Sequence, residues 1–556
     1  MKVLTGIASS PGVAFGPVFR IRERKREVIK RTVDADLLER EKERFSSAME
    51  AAERQLTAIV EDLRQKGLEN EAGIIEGQWM VLADPQLSDD VCSRIEQESV
   101  NAEWAVSVTF DAYAAMFAQM EDDYLRDRVN DLKDVESRLI GLLQGDTDHP
   151  LSDLRGPSII VAHDLTPSLT SQLDKRFVLG FATEIGSRTS HSSILARTMG
   201  IPAVVGCSGL LQEVADGDFV IVDGDEGSLT VNPDEQTRRK LEGKRAEMLR
   251  DAEIDRELAD KPGVTADGAR IDLMCNIGRP SDAQFVHEYG GEGVGLFRTE
   301  FLFMDRSSWP DEEEQFAAYR ETVEALRGKP VIVRTLDIGG DKSLDYVRFP
   351  EEMNPFLGWR ALRFCLGEPE LFRTQLRAIL RAGAYGPVSI MFPMVSGLAE
   401  LQAAKEQLRI AREELQARGQ SYGRQMPVGI MIEVPSAALI ADQLAPHVDF
   451  FSIGTNDLIQ YTIAVDRMNE KVSHLYDPGH TAVLRLIKMV CDAAARYGKG
   501  VGMCGEMAGE PEFTELLVGL GVTKLSMSPP MVPKVKRALL KIQRTQAEQR
   551  ALERIR

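Results

Sequence analysis

Val428-Gly429-Ile430-Met431-Ile432-Glu433 is a short apolar run that stops on a carboxylate, and Phe450-Phe451-Ser452-Ile453-Gly454-Thr455 repeats the form just ahead of Asn456-Asp457. Six more such runs lie in the C-terminal half: Arg270–Asn276, Gly293–Arg298, Pro330–Leu336, Val388–Met394, Gly500–Cys504 and Lys524–Ser528. Each reads as a strand, and helical stretches separate them. Eight strand–helix units in about 270 residues predict a closed (β/α)8 barrel over 263–556, with an open doubly wound sheet as the alternative.

In such a barrel the reacting groups sit at the C-terminal strand ends or in the loops just after them. This sequence places Asn276, Arg298, Arg334, Glu433, Asn456, Asp457 and Cys504 there. Arbitrary strand ends would supply mostly Gly, Pro and Ser, so the rim predicts an enzyme. Arg298 and Arg334 are forked, permanently charged donors suited to a phosphate or carboxylate. Arg360 and Arg467 follow in loops and can complete a polyanion clamp, although Arg360 taken alone fits a pairing with surface acids. Glu433 and Asp457 offer hard oxygen ligands to Mg²⁺, or Mn²⁺, and otherwise would neutralise the arginines. Cys504 is either a small buried apolar residue or a thiol that, with an ordinary pKa of about 8.5, keeps a proton to give to an enolate. Phosphate binding, a divalent cation and a proton donor for an enolate together describe phosphoenolpyruvate–pyruvate chemistry.

The N-terminal half is organised differently. Residues 1–20 alternate apolar and small residues around Gly6, Pro11, Gly12 and Gly16 and read as one or two strands. Leu38, Phe45, Met49, Ala52, Leu56, Ile59 and Leu63 recur at helical steps, and three more amphipathic helices follow, the second broken at Asp84-Pro85. Residues 34–145 are therefore expected to be an inserted four-helix subdomain. Strand-like runs resume at Pro157–Ala162, Phe177–Ala182, Ala203–Val205 and Phe219–Val222. With residues 1–33 they define an α/β unit over 146–232. Within it, Gly186-Ser187-Arg188-Thr189-Ser190-His191 leads into an apolar helix that Ser190 or Thr189 can cap and Gly200 can end. A neutral imidazole at an anion-friendly helix start is a candidate phosphoryl acceptor, although a single His on a turn is usually structural. Residues 233–262 are strongly charged and read as an exposed linker helix.

Composition sets the outer limits. The chain has 556 residues, 43% hydrophobic and 28% charged, enough for about two to four domains. A formal net charge of −20 argues against nucleic acid or an anionic membrane as the main partner. The six cysteines are scattered with no CxxC pair, so neither a zinc site nor a disulfide framework is expected. No apolar run is long enough to span a bilayer, no signal peptide is evident, and a cytoplasmic location is expected.

These motifs, in this order, resemble the phosphoenolpyruvate–protein phosphotransferase family, enzyme I of the bacterial sugar phosphotransferase system. The resemblance runs nearly end to end: Gly6-Ile7-Ala8-Ser9-Ser10-Pro11-Gly12, Asp164-Leu165-Thr166-Pro167-Ser168, the His191 segment, Gly293–Glu300, Gly358-Trp359-Arg360, Gly454–Leu458 and Met503-Cys504-Gly505-Glu506-Met507. It implies a swivelling phosphohistidine domain with an inserted helical subdomain, followed by a barrel that also dimerises. His191 would carry the phosphoryl group, with Thr170 beside it. Arg298, Arg334, Arg467, Asn456 and Asp457 would bind phosphoenolpyruvate, with Arg360 and Lys342 in support. Glu433 and Asp457 would hold Mg²⁺, and Cys504 would protonate enolpyruvate. The acceptor would be a histidine of the phosphocarrier protein HPr, docked on the helical subdomain; Trp79, Met80 and Val81 are the candidate contacts. Departures from the pattern are small: Ser187 stands where a second Gly is usual, and Ser528-Pro529-Pro530 varies the last strand's ending. A start directly on the strand-like residues favours the sugar-system form over the nitrogen-related or regulatory paralogue. A pyruvate phosphate dikinase-like enzyme would need an additional ATP-binding domain.

Overall fold

The computed structural model describes every residue except 22–27, 66–68, 119–122, 146–150, 152–153, 155, 167–168, 170–172, 175, 188–189, 305, 341, 343, 345, 348, 351 and 470. The chain divides into two units, Met1–Arg250 and Asp251–Arg556. No helix among the described residues is long and apolar enough to cross a membrane.

The first unit carries β1 (Lys2–Thr5), β2 (Ile7–Ser10), β3 (Val13–Arg20), β4 (Ser158–Ala162), β5 (Val178–Thr183), β6 (Ala203–Val205), β7 (Phe219–Asp223) and β8 (Ser228–Val231) in one sheet, ordered β1-β8-β7-β3-β4-β5-β6-β2. Residues 1–20 thus form three strands rather than one or two. Gly12, at φ +119°, makes the last break, a conformation costly for any residue with a Cβ. Strands β3 and β4 are parallel neighbours, Val18 opposite Ile159, although more than a hundred residues separate them along the chain. The intervening chain is a helical excursion that leaves the sheet and returns to the adjacent position.

That excursion holds α1 (Leu38–Gln65), α2 (Glu69–Leu82), α3 (Pro85–Glu98), α4 (Ala102–Ala118) and α5 (Asp123–Leu143). The second expected helix is two helices. Pro85 cannot continue α2 but suits the first turn of α3, and Asp84 caps it by accepting from the Gln86 N–H at 2.9 Å. Phe45, Ala52, Leu56, Leu63, Val91, Ile95, Val106 and Leu139 fill the helical core.

The second unit closes the eight C-terminal runs into a barrel: β9 (Asp272–Ile277), β10 (Val294–Arg298), β11 (Val331–Arg334), β12 (Val388–Phe392), β13 (Val428–Ile432), β14 (Phe450–Ile453), β15 (Gly500–Met503) and β16 (Lys524–Met527). All neighbours are parallel, and β16 pairs back onto β9, Leu525 opposite Leu273, which excludes the open sheet. Residues facing outward, such as Val333, Ile390, Phe451 and Ile453, pack under the helices. Leu296, Ile332, Met391, Met431 and Cys504 form a separate cluster.

Helix α6 spans His191–Met199, and α7, Glu235–Leu258, fills the charged stretch. In the first unit Lys244 pairs with the buried Asp223 at 2.7 Å. In the second, Arg537 pairs with Asp251 at 2.5 Å and Asp255 at 2.7 Å. Lys536, 1% exposed, donates to the carbonyls of Leu258, Ala259, Lys261 and Gly290 at 2.8–3.2 Å. The cation thus satisfies the negative C-terminal end of α7 and the chain just beyond it. Lys536→Met keeps the stem and leaves the carbonyls without their donor. Urea unfolding is expected to show a loss of about 3 kcal/mol for the second unit.

Candidate active site

Arg298 and Arg334 stand side by side as register partners on β10 and β11. Thr299 Oγ1 donates to the Arg334 carbonyl at 2.8 Å, and the Gln375 amide donates to Thr299 Oγ1 at 3.1 Å, which fixes the two strand ends. Arg334 is buried. Its Nη2 reaches Glu300 Oε1 at 2.5 Å and its Nη1 reaches Asp337 Oδ2 at 3.0 Å. Lys342 bridges the same two acids at 2.8 and 3.2 Å. Arg360 is not a surface residue: it is 2% exposed, with Nη2 at 3.0 Å from Asp337 and 3.4 Å from Asp457, and Nη1 donating to the Tyr461 hydroxyl at 3.3 Å. Arg467 reaches Asp457 at 3.6 Å.

Several buried polar atoms of this rim have no hydrogen-bond partner among the described residues: the Nε atoms of Arg334, Arg360 and Arg467, Glu300 Oε2 and Thr455 Oγ1. Orphaned buried donors are costly, and several on one rim are what an anion-binding surface presents. Burial would lower the guanidinium pKa of Arg334, but Glu300 and Asp337 outweigh it, and Arg334 and Arg360 are both held above the ordinary value. Burial likewise works against ionised Asp337, but Lys342, Arg334 and Arg360 keep it well below the usual carboxylate range.

Glu433 behaves oppositely. Burial first, then the charges of Asp457 and Asp337, push it up to about 8. Its Oε1 accepts from the Met394 N–H at 2.6 Å. A Cβ placed on Gly454 would stand 2.9 Å from Oε2, so the carboxylate lies against the chain that leads to Asp457. Asp457 itself is not on a strand; it sits in the first turn of helix Thr455–Ile463. Among the described residues no group of three or more His, Cys, Asp or Glu is arranged to hold a metal by itself. Glu433, raised by burial and by the neighbouring charge of Asp457, and Asp457, within reach of Arg360 and Arg467, together fit a cation that takes its remaining ligands from a bound substrate.

Cys504 is 3% exposed beside these groups. Ser452 Oγ donates to its sulfur at 3.3 Å, its N–H donates to the Ile453 carbonyl at 3.0 Å, and its carbonyl accepts from Asn276 at 3.0 Å. Burial pushes the thiol pKa up, with only partial opposition from Ser452 and Arg334. Cys504 is therefore protonated at neutral pH. Asn456 turns toward the loop after Cys504: its amide donates to Glu506 Oε1 at 3.1 Å and accepts from the Glu506 N–H at 2.9 Å.

The sequence reading missed Glu300, Asp337, Tyr461 and Ser452. Glu300 and Asp337 each lie within three residues of a rim arginine, and Tyr461 lies one helical turn beyond Asp457. Those spacings were the available signal.

His191 opens α6, and Gly200 ends that helix at φ +62°. Ser190 occupies the N-cap position but makes no capping bond; its hydroxyl donates to the Ser187 carbonyl at 2.8 Å. Ser193 donates to the same carbonyl at 2.6 Å and accepts from Ser9 at 2.6 Å. Thr170, Arg188 and Thr189 lie outside the described residues, as does the His191 side chain. On α2, Trp79 and Met80 are exposed, whereas Val81 is half-buried against the helical core.

A closed parallel barrel with converging arginines, paired carboxylates and a protonated thiol on its C-terminal rim defines an enzyme for a small anionic substrate. Residues 252–544 match the family described as PEP-utilising enzyme, PEP-binding domain. Residues 5–128 match its N-terminal domain and 154–227 its mobile domain. The chain is 47% identical to the phosphoenolpyruvate-protein phosphotransferase of Bacillus sp. (strain S) over 95% of this chain and 91% of that protein. It is 46% identical to that of Geobacillus stearothermophilus over 98% and 94%, and 45% identical to that of Bacillus subtilis (strain 168) over 99% and 96%. The chain belongs to the phosphoenolpyruvate-protein phosphotransferase family, and it is a phosphoenolpyruvate-dependent transferase of the phosphotransferase system.

Proposed function

We propose that the enzyme moves the phosphoryl group of phosphoenolpyruvate onto His191 Nε2 and from there to a histidine of the phosphocarrier protein HPr, in the cytoplasm. The P–O bond to the enol oxygen breaks as the P–N bond forms. The enolate left behind takes a proton at C3 from Cys504 and leaves as pyruvate. Arg298, Arg334 and Arg467 hold the phosphate and carboxylate, with Asn456 positioning the loop after Cys504. Arg360 and Lys342 keep Asp337 and Glu300 ionised, and Thr170 orients the imidazole. Glu433 and Asp457 would hold Mg²⁺, or Mn²⁺, which when bound neutralises charge on the transferring group. Residues 1–33 and 146–232 act as the phosphohistidine unit and 34–145 as the HPr-docking unit, with Trp79 and Met80 as its apolar contacts. Residues 233–262 are the linker, and 263–556 form the substrate barrel, through which two copies pair.

The observation that most supports this reading is the Arg298–Arg334 register pair on the rim that also carries Cys504, together with the Nε atoms of Arg334, Arg360 and Arg467 that have no partner among the described residues. Labelled phosphoenolpyruvate with Mg²⁺ should give an acid-labile phosphohistidine that maps to the peptide holding His191 and chases onto added HPr. Label that appears only with ATP, or that maps elsewhere, overturns the proposal.

The Glu433–Asp457 pair adds a pH test. The folded-state pKa of Glu433 is raised from 4.5 to about 8, so the folded state holds a proton that the unfolded state releases. Its contribution to stability is present below about 4.5 and is lost as pH rises toward 8. Urea melts of metal-free protein should show that decline, and saturating Mg²⁺ or Glu433→Gln should flatten it. Cation binding should also release a proton near neutral pH, visible by calorimetry in buffers of different ionisation enthalpy.

A further inference from the structure

Barrels of this kind are usually filled by layers of inward side chains. Here part of the filling is missing on the side of Cys504 away from the rim. Gly295, Gly500 and Gly502 help to line a cavity of about 50 Å³, together with Ser452, Ser526, Thr523 and Lys524. A Cβ on Gly502 would meet nothing nearer than 3.7 Å, and one on Gly500 nothing nearer than 3.8 Å, so the space is real at both positions. One water needs roughly 10–15 Å³ by the same kind of measure, and two to four polar partners. The cavity therefore has room and hydrogen-bonding groups for a few waters. Its lining runs from exposed Gly500 and Thr523, at the N-terminal ends of β15 and β16, to Ser452 and Ser526, which are 3% and 2% exposed.

At the inner end, Ser452 Oγ donates to Cys504 Sγ at 3.3 Å. Ser526 Oγ donates to Asn276 Oδ1 at 2.6 Å, and Asn276 holds the Cys504 carbonyl. Away from Ser452 the sulfur packs against Leu296, Ile332, Met391 and Met431, and on its rim side it faces Arg334, Arg298 and Glu433. A thiol that gives up its proton once per turnover must recover it, and the rim side is where the substrate binds.

We propose that Ser452 and the cavity behind it form the path that reprotonates Cys504 from the N-terminal face of the barrel after each turnover. The path rests on the reading of Cys504 as the proton donor to enolpyruvate. The Cys504 S–H bond breaks as the C3–H bond of pyruvate forms. The resulting thiolate takes the Ser452 hydroxyl proton, Ser452 takes one from a cavity water, and the hydroxide left regains a proton from solvent near Gly500 and Thr523. No electron changes hands, and the net proton comes from solvent.

Rapid-quench and steady-state rates of the full-length enzyme, with HPr as acceptor, test this. The first turnover uses the proton already on Cys504, and later turnovers need the path. Ser452→Ala is expected to raise the ratio of first-turnover to steady-state rate about tenfold, with a larger solvent deuterium isotope effect on the steady state. Gly502→Leu, which fills the cavity from another strand, should reproduce the pattern, and Ser452→Thr, which keeps the hydroxyl, should restore it. The path is overturned if both variants leave the ratio and the isotope effect unchanged, or slow both phases equally. If Cys504→Ala leaves the first turnover intact, the donor role fails first, and the path falls with it.

Discussion

Arg334→Met is expected to lower phosphoenolpyruvate-dependent phosphorylation by at least about a thousandfold and to destabilise the barrel as well. The two losses have one origin. Arg334 faces the rim and also holds two buried acids, Glu300 at 2.5 Å and Asp337 at 3.0 Å, each about 2% exposed. Removing the guanidinium leaves Glu300 with Lys342 and leaves Asp337 with Lys342 and Arg360. Breaking a buried pair by deleting one partner typically costs about 3–5 kcal/mol, because the remaining charge stays out of water. Arg334→Lys keeps the charge but has no fork to span both acids and a phosphate, so it should recover part of the stability and little of the rate. Initial rates with labelled phosphoenolpyruvate and urea melts measure both effects. A change confined to a few-fold rise in KM would remove Arg334 from the clamp. On the proposed relay, back-transfer from phosphorylated HPr onto the enzyme should survive in the variant, because that half-reaction would not use the barrel rim.

Strand periodicity was legible because each barrel strand is a run of apolar residues, and all eight were found with their ends within a few residues. The rim arginines, carboxylates and thiol were legible for a related reason: a charged or reactive group ending an apolar run is chemically out of place. What stayed hidden depends on pairing across the fold. Arg360 in a loop gives no sign that it is buried between Asp337 and Asp457. Ser452 inside a strand looks like a neutral interruption until β14 and β15 are laid side by side, with Ser452 opposite Gly502. Pro85 stops one helix and, with Asp84 as its cap, starts the next, and a proline in sequence does not say which of the two it does. The His191 turn was placed correctly, but its support was not. A serine before an apolar helix suggests a cap, whereas here Ser190 and Ser193 both bind the carbonyl of Ser187, and Ser9 reaches in from β2.

That support makes His191→Ala the cleanest large effect to expect. The turn is held by the serine hydroxyls on Ser187, by Arg197 donating to the Ser9 carbonyl at 2.9 Å, and by the left-handed Gly200 that closes α6. Alanine is well tolerated at a helix start of this kind, so stability should change by less than about 1 kcal/mol. Phosphorylation should nonetheless vanish from both directions, with no label from phosphoenolpyruvate and none from phosphorylated HPr. Arg334→Met should fail only in the first of these reactions. The contrast separates a relay from a self-contained site: a group on the relay is needed for both halves, and a group on the donor rim for one. Filter-binding assays of acid-labile phosphate on the two variants, run in each direction, supply the four measurements. Phosphate retained by His191→Ala in either direction would show that another side chain carries it.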